Sequence, residues 1–85
     1  MRCKPIVFHN VPPVTFDCMK KKLHSEGIQV PSGNKGELSG LGVVADFEWD
    51  GCSVLTVTIK EKPFFISCEA ATYKIRQFVI ECHGS

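Results

Sequence analysis

The chain has 85 residues, and we predict one compact domain over residues 1–85, since domains commonly span about 100–150 residues. A composition of 44% hydrophobic and 22% charged residues is typical of a folded domain and excludes a disordered chain. Ten Lys and Arg against nine Asp and Glu leave a net charge of +1, so no overall field attracts nucleic acid or acidic lipid. No apolar run approaches the roughly 18 residues that a membrane-spanning helix needs, so we expect no membrane association.

The number of cysteines and the N-terminal sequence bear on the cellular compartment of the protein. Their number, five, is odd, and no apolar segment of a signal peptide follows the first residues, so we predict a cytoplasmic protein with reduced thiols. The cysteines and three histidines contain no C-x₂₋₄-C or H-x₃₋₅-H spacing, which argues against a structural metal site. We therefore expect no metal and no cofactor.

The first helix is the clearest element of the N-terminal half. Ile6 to Phe8 precede it as a short predicted strand, and Thr15 is predicted as its N-cap. Phe16, Met19 and Leu23 then follow at helical spacing and form one apolar stripe. Gly27 is predicted to end the helix in the left-handed conformation at C′.

Three predicted strands follow the first helix. Residues 28–30 form a brief predicted strand, and residues 31–36 form a turn-rich loop. Apolar and polar side chains then alternate over two longer runs, residues 37–49 and residues 53–60, and Leu41 belongs to the first of these. Both apolar sets reach one face only if the connecting loop has an odd number of residues, because the side-chain period of a strand is two. We predict a three-residue loop from Trp49 to Gly51, which pairs Ala45 with Leu55.

A second amphipathic helix is predicted to follow Ser67, its N-cap, and to cover residues 68–82. The element order is then β-α-β-β-β-α. We predict an α+β two-layer sandwich, with an antiparallel sheet of three or four strands and two helices on one face. The core is expected to contain the apolar residues of both helices and of the inner sheet face: Phe16, Met19, Leu23, Val43, Ala45, Phe47, Leu55, Val57, Ile59, Ile75, Phe78 and Val79.

This order of elements resembles that of double-stranded-RNA-binding domains from about Thr15 to Cys82. The resemblance implies a lysine cluster at the start of the last helix, where that family contacts phosphates. The chain instead has Glu69 close to this position. Nucleic-acid binding is therefore the third-ranked hypothesis.

Catalysis finds no support in the sequence, and we predict that the chain is not an enzyme. Cys18 and Cys68 lie near helix starts, where backbone N–H groups favour a thiolate. The adjacent acids Asp17 and Glu69 oppose this effect, and no histidine is placed by sequence to act as a base. Both cysteines are expected to be packed side chains.

The leading hypothesis is a binding or accessory domain that recognises a protein partner, or a second copy of itself, through exposed aromatic residues. The candidate binding residues are Phe64 and Phe65, in an apolar triplet after a proline, and Trp49 in the predicted loop. A competing interpretation makes both phenylalanines core residues that close the end of the sandwich. The alternative function is an apolar pocket for a small molecule, bounded by Phe64, Phe65, Phe78 and the sheet.

Overall fold

The computed structural model describes residues 3–40 and 42–83, and their elements follow the predicted order. This confirms the α+β class. The strands and helices, in chain order, are β1 (Ile6–Phe8), α1 (Pro13–Ser25), β2 (Lys35–Gly40), β3 (Val43–Trp49), β4 (Leu55–Glu61) and α2 (Cys68–His83).

The four strands of the described residues form one antiparallel sheet in the order β1-β4-β3-β2. Strand β4 shows why one face is covered: Leu55, Val57 and Ile59 are buried, whereas Thr56 and Thr58 between them are only half-buried. Successive side chains of a strand point to opposite faces. The apolar face therefore lies beneath both helices, and the other face carries the polar set.

The second strand is not the one predicted. Residues 28–30 contribute only an isolated bridge from Gln29 to Ser39, and the long extended run is divided into β2 and β3, with Gly40 opposite Val43. Gly42 has φ +80°, a conformation that glycine adopts without steric cost. Gly42 therefore permits the chain to reverse direction between β2 and β3, although apolar and polar residues alternate on both sides of it. Leu41 lies outside the described residues.

The predicted register of β3 and β4 is also wrong. Ala45 pairs with Ile59, and Trp49 pairs with Leu55, so the connection spans residues 50–54 rather than the three residues predicted. The parity argument holds, since five is also odd and both apolar sets share a face. The length of the loop follows from its first residue, Asp50.

Asp50 organises this turn through one carboxylate oxygen. Its Oδ1 accepts the backbone N–H groups of Cys52, Ser53 and Val54 at 2.8, 2.9 and 3.0 Å. The Asp50 N–H in turn donates to the Val54 carbonyl at 2.9 Å. These hydrogen bonds, with that to Val54 the strongest cause, lower the pKa of Asp50 below its ordinary value of 3.8.

The helix ends follow capping rules, with one exception. Helix α1 starts at Pro13 after Pro12, and the predicted N-cap Thr15 is instead a buried helical residue, because proline is well suited to the first turn. Gly27, at φ +87°, donates to the His24 carbonyl, which confirms the predicted helix end. Ser67 Oγ accepts the Ala70 N–H at 3.0 Å, which confirms the second N-cap.

The predicted core is buried except for three residues, Leu23, Val43 and Ile75, which remain half-buried. The structure adds Cys3, Val11 and Cys82 to the buried apolar set, and the side chain of Thr15 is buried beside them.

Two disulfides correct the prediction of reduced thiols: Cys3 is bonded to Cys68, and Cys18 to Cys82. Cys68 is the first residue of α2, and Cys82 is next to its last residue. The helix is therefore fixed covalently at both ends, to the segment before β1 and to α1. Cys52, in the exposed β3–β4 turn, is the free cysteine.

Replacing Cys18 and Cys82 together by alanine should lower the free energy of unfolding by about 2–5 kcal/mol, because the disulfide closes a long loop in the unfolded chain. Thermal unfolding without reductant measures this loss. The control, Cys52→Ala, should change stability by no more than about 0.5 kcal/mol, as expected of a surface position. Equal stabilities of the two variants, or a peptide map with Cys52 in an internal disulfide, would contradict this arrangement.

Asp50→Ala should lower the melting temperature, because three backbone N–H groups lose their acceptor. A pKa that is lowered on folding stabilises the protein above the unfolded value of 3.8, and this contribution disappears as pH falls through the folded pKa. Wild-type stability, measured by urea unfolding, should therefore lose more than that of Asp50→Ala between about pH 6 and about pH 2. Parallel profiles for wild type and Asp50→Ala would refute the role of this carboxylate.

Candidate ligand-binding cavity

A cavity of about 420 Å³ separates the two helices from the inner face of the sheet. Its size falls within the range of roughly 300–1,000 Å³ that is typical of small-molecule sites. The walls come from α1, from α2, from all but the first strand and from the segments next to them: Phe16, Met19, Lys20, Leu23, Glu26, Ile28, Val30, Leu38, Gly40, Val43, Ala45, Phe47, Leu55, Val57, Ile59, Ile66, Ala70, Ala71, Lys74, Ile75 and Phe78.

The three expected core residues that are not fully buried, Leu23, Val43 and Ile75, all line this cavity. Ile28 and Leu38 are also half-buried and line it. Leu23, Leu38, Val43 and Ile75 pack against the buried core and also border the cavity. The helices and the sheet thus leave between them a space that protein atoms do not fill.

Small residues help to leave this space open. Ala70 and Ala71 lie in the first turns of α2 and Ala45 in β3, and each lines the cavity with only a methyl group. Gly40 also lines the cavity, and a Cβ atom at this position would lie 2.8 Å from the Ile28 Cα. The backbone of β2 therefore approaches the segment after α1 closely, and a larger residue would push the two apart.

The lining contains three charged residues, Lys20, Glu26 and Lys74. Lys20 is half-buried, donates to the Gly33 carbonyl, and places its ammonium 4.7 Å from the centroid of the Phe16 ring. Such a cation over an aromatic face is attracted by the ring quadrupole. Lys20 thus has partners of its own within the protein.

Lys74 differs from Lys20 in its partners. Lys74 is an exposed residue of α2, and its Nζ lies 5.5 Å from the centroid of the Phe78 ring. Phe78 is a buried residue of the cavity wall. Over residues 3–40 and 42–83, no carboxylate forms an ion pair with it. The ammonium therefore lies where the cavity meets solvent, with no carboxylate partner among the described residues.

Trp49 does not lie in a loop, contrary to the turn predicted for it. It ends β3, and its ring stacks on Phe16 with centroids 4.4 Å apart and an interplanar angle of 19°. Its indole N–H donates to the Val11 carbonyl at 2.8 Å. The half-buried side chain thus packs under α1 and is not part of the cavity wall.

Phe64 and Phe65 are exposed, with 95% and 76% of their surface accessible. They lie in a turn before α2 in which the Ile66 N–H donates to the Pro63 carbonyl at 3.0 Å. Their rings contact each other edge to face, with centroids 5.7 Å apart. Neither ring closes the sandwich or lines the cavity, so Phe78 is the only one of the three phenylalanines predicted around the pocket that does so.

The other residues considered for a chemical function have structural partners within the protein. Cys18 and Cys68 are in disulfides. On the outer sheet face, Lys60 pairs with Glu37 and Asp46, and the hydrogen bond that it donates to the Glu37 carboxylate raises the pKa of Lys60 above its ordinary value. Among the described residues, no three His, Cys, Asp or Glu side chains are grouped so that they could hold a metal ion.

Sequence reasoning placed an apolar pocket between helices and sheet but assigned two of its three phenylalanine walls wrongly. The signal it missed is the set of small wall residues, Ala70 and Ala71 on α2 and Ala45 on β3. Over the described ranges, neither helix is long and apolar enough to cross a bilayer. Comparison with protein-family models, curated proteins and solved structures gives no match.

Proposed function

We propose that this chain is a non-enzymatic module that binds a small apolar molecule in the cavity between its helices and its sheet. The observation that carries this proposal is the lining: apart from Lys20, Glu26 and Lys74, every wall residue is apolar or glycine. An apolar wall offers a ligand burial without the loss of hydrogen bonds to water. Recognition of such a ligand depends on shape and apolar area.

Filling the cavity would favour the folded state. The cavity opens to solvent beside the exposed residues Glu26 and Lys74, so an apolar ligand that enters it releases water from the apolar walls. A ligand that binds only the folded state stabilises that state by mass action.

We also propose an oxidising compartment. The cytoplasmic location predicted from the sequence depended on reduced thiols, whereas the cysteines form two disulfides. Structural disulfides persist mainly in oxidising environments. We do not propose nucleic-acid binding, because Glu69 occupies the first turn of α2, where a phosphate contact would need a base.

A neutral fluorescent probe, N-phenyl-1-naphthylamine, should bind the protein with enhanced emission, since the walls of the cavity are largely apolar. Ala71→Phe should reduce the affinity at least tenfold by filling the cavity, a difference of about 1.4 kcal/mol in binding free energy. The measurement is a fluorescence titration, with far-UV circular dichroism to confirm that the variant is folded.

The matched control is Arg76→Phe, which adds the same ring to an exposed position of α2 that does not line the cavity. It should bind the probe like the wild type. No saturable binding by the wild type, or equal affinity of both phenylalanine variants, would rule out the cavity as a ligand site.

A second candidate function is protein recognition through Phe64 and Phe65. The observation that favours it is their exposure in one turn, because two adjacent aromatic rings in water are typical of a protein contact. The partner we propose is a second copy of the chain. Trp49, the third residue predicted for this surface, is engaged with Phe16 and Val11 and contributes nothing further to it.

Replacing Phe64 and Phe65 together by serine should abolish concentration-dependent dimerisation, measured by sedimentation velocity. The change should leave the free energy of unfolding within about 0.5 kcal/mol, as expected of exposed positions. Phe78→Ser, a buried control, should instead destabilise the fold by about 3–5 kcal/mol. A wild type that remains monomeric at the highest concentration, or an unchanged dimer in the double variant, would disprove this candidate.

A further inference from the structure

We propose that the ligand of the cavity is an amphipathic anion, with an apolar chain between helices and sheet and a compact anionic head group at Lys74. This inference rests on the proposed function, because it specifies the chemical class that the same cavity takes. The apolar walls would contact the chain of the ligand. The three charged residues of the lining, Lys20, Glu26 and Lys74, which we call the rim, would contact its head group.

Lys74 is the residue that points to a head group. Its ammonium lies over the Phe78 ring, 5.5 Å from the centroid, and Phe78 is part of the cavity wall. Among the described residues it has no carboxylate partner. An anion that enters with its tail in the cavity would therefore meet a cation already held at the opening, without first breaking an ion pair.

The rest of the rim supports the sign of this charge. Lys20, a half-buried residue, adds a second cation, and its ammonium lies over the rings of Phe16 and Phe47, at 4.7 and 5.6 Å from their centroids. Glu26, an exposed residue, is the one acid in the lining. The lining charges thus favour an anion over a cation, and ion pairs at the edge of an apolar site are screened less than those in water.

The test compares three single-chain probes of equal length: decanoate, decanol and decylammonium. Each is titrated calorimetrically, below its micellar concentration, into the disulfide-bonded protein. We expect decanoate to bind about three- to tenfold more tightly than decanol, and decylammonium to bind most weakly, because one partly exposed ion pair adds a modest increment.

Lys74→Gln should remove this preference, so that decanoate loses about three- to tenfold in affinity and decanol loses nothing. Lys74→Arg keeps the charge and should retain the preference. The control is Lys21→Gln, since Lys21 pairs with Asp17 at 3.2 Å along α1 and does not line the cavity.

The outcomes separate the two proposals. Equal binding of decanoate and decanol, with no effect of Lys74→Gln, would overturn the anionic head group and leave the apolar cavity as a binding site. Preferred binding of decylammonium would overturn it in favour of Glu26. Failure of all three probes to bind would overturn both the head group and the proposed function.

Discussion

The covalent attachment of α2 at both ends is the constraint on which the rest of the structure depends. A helix usually keeps its place by packing an apolar face against the layer beneath it. Here Cys68 and Cys82, at the two ends of α2, are bonded to Cys3 and Cys18, about 21 Å apart along the helix at 1.5 Å per residue. The helix therefore remains over the sheet even where the side chains between them do not meet.

This constraint explains how so short a chain contains a cavity of about 420 Å³. Small domains bury a limited fraction of their surface and commonly depend on disulfides for stability. With the position of α2 fixed covalently, its inner face can carry Ala70 and Ala71 rather than large side chains. The same face carries Lys74 at the opening of the cavity. The site therefore combines apolar walls with a positive charge, and this combination is the basis for proposing an amphipathic anion as its ligand.

Local signals in the sequence predicted two helix ends correctly, although the N-cap predicted at Thr15 was wrong. Ser67 and Gly27 cap helices because capping depends on neighbours a few residues away. The disulfides escaped prediction because the paired cysteines are 65 and 64 residues apart, and no spacing rule applies at that distance. Leu23 and Ile75 were predicted as core, because an apolar stripe looks the same whether it faces other side chains or an open cavity.

A crystal structure of the protein, purified from an oxidising compartment without reductant, would test the central claim most directly. We expect both disulfides, a fixed α2, and continuous density for an elongated molecule between Ala71 and Val43 with its polar end at Lys74. Helices collapsed onto the sheet, with Leu23, Val43 and Ile75 in mutual contact and no space between the layers, would contradict it.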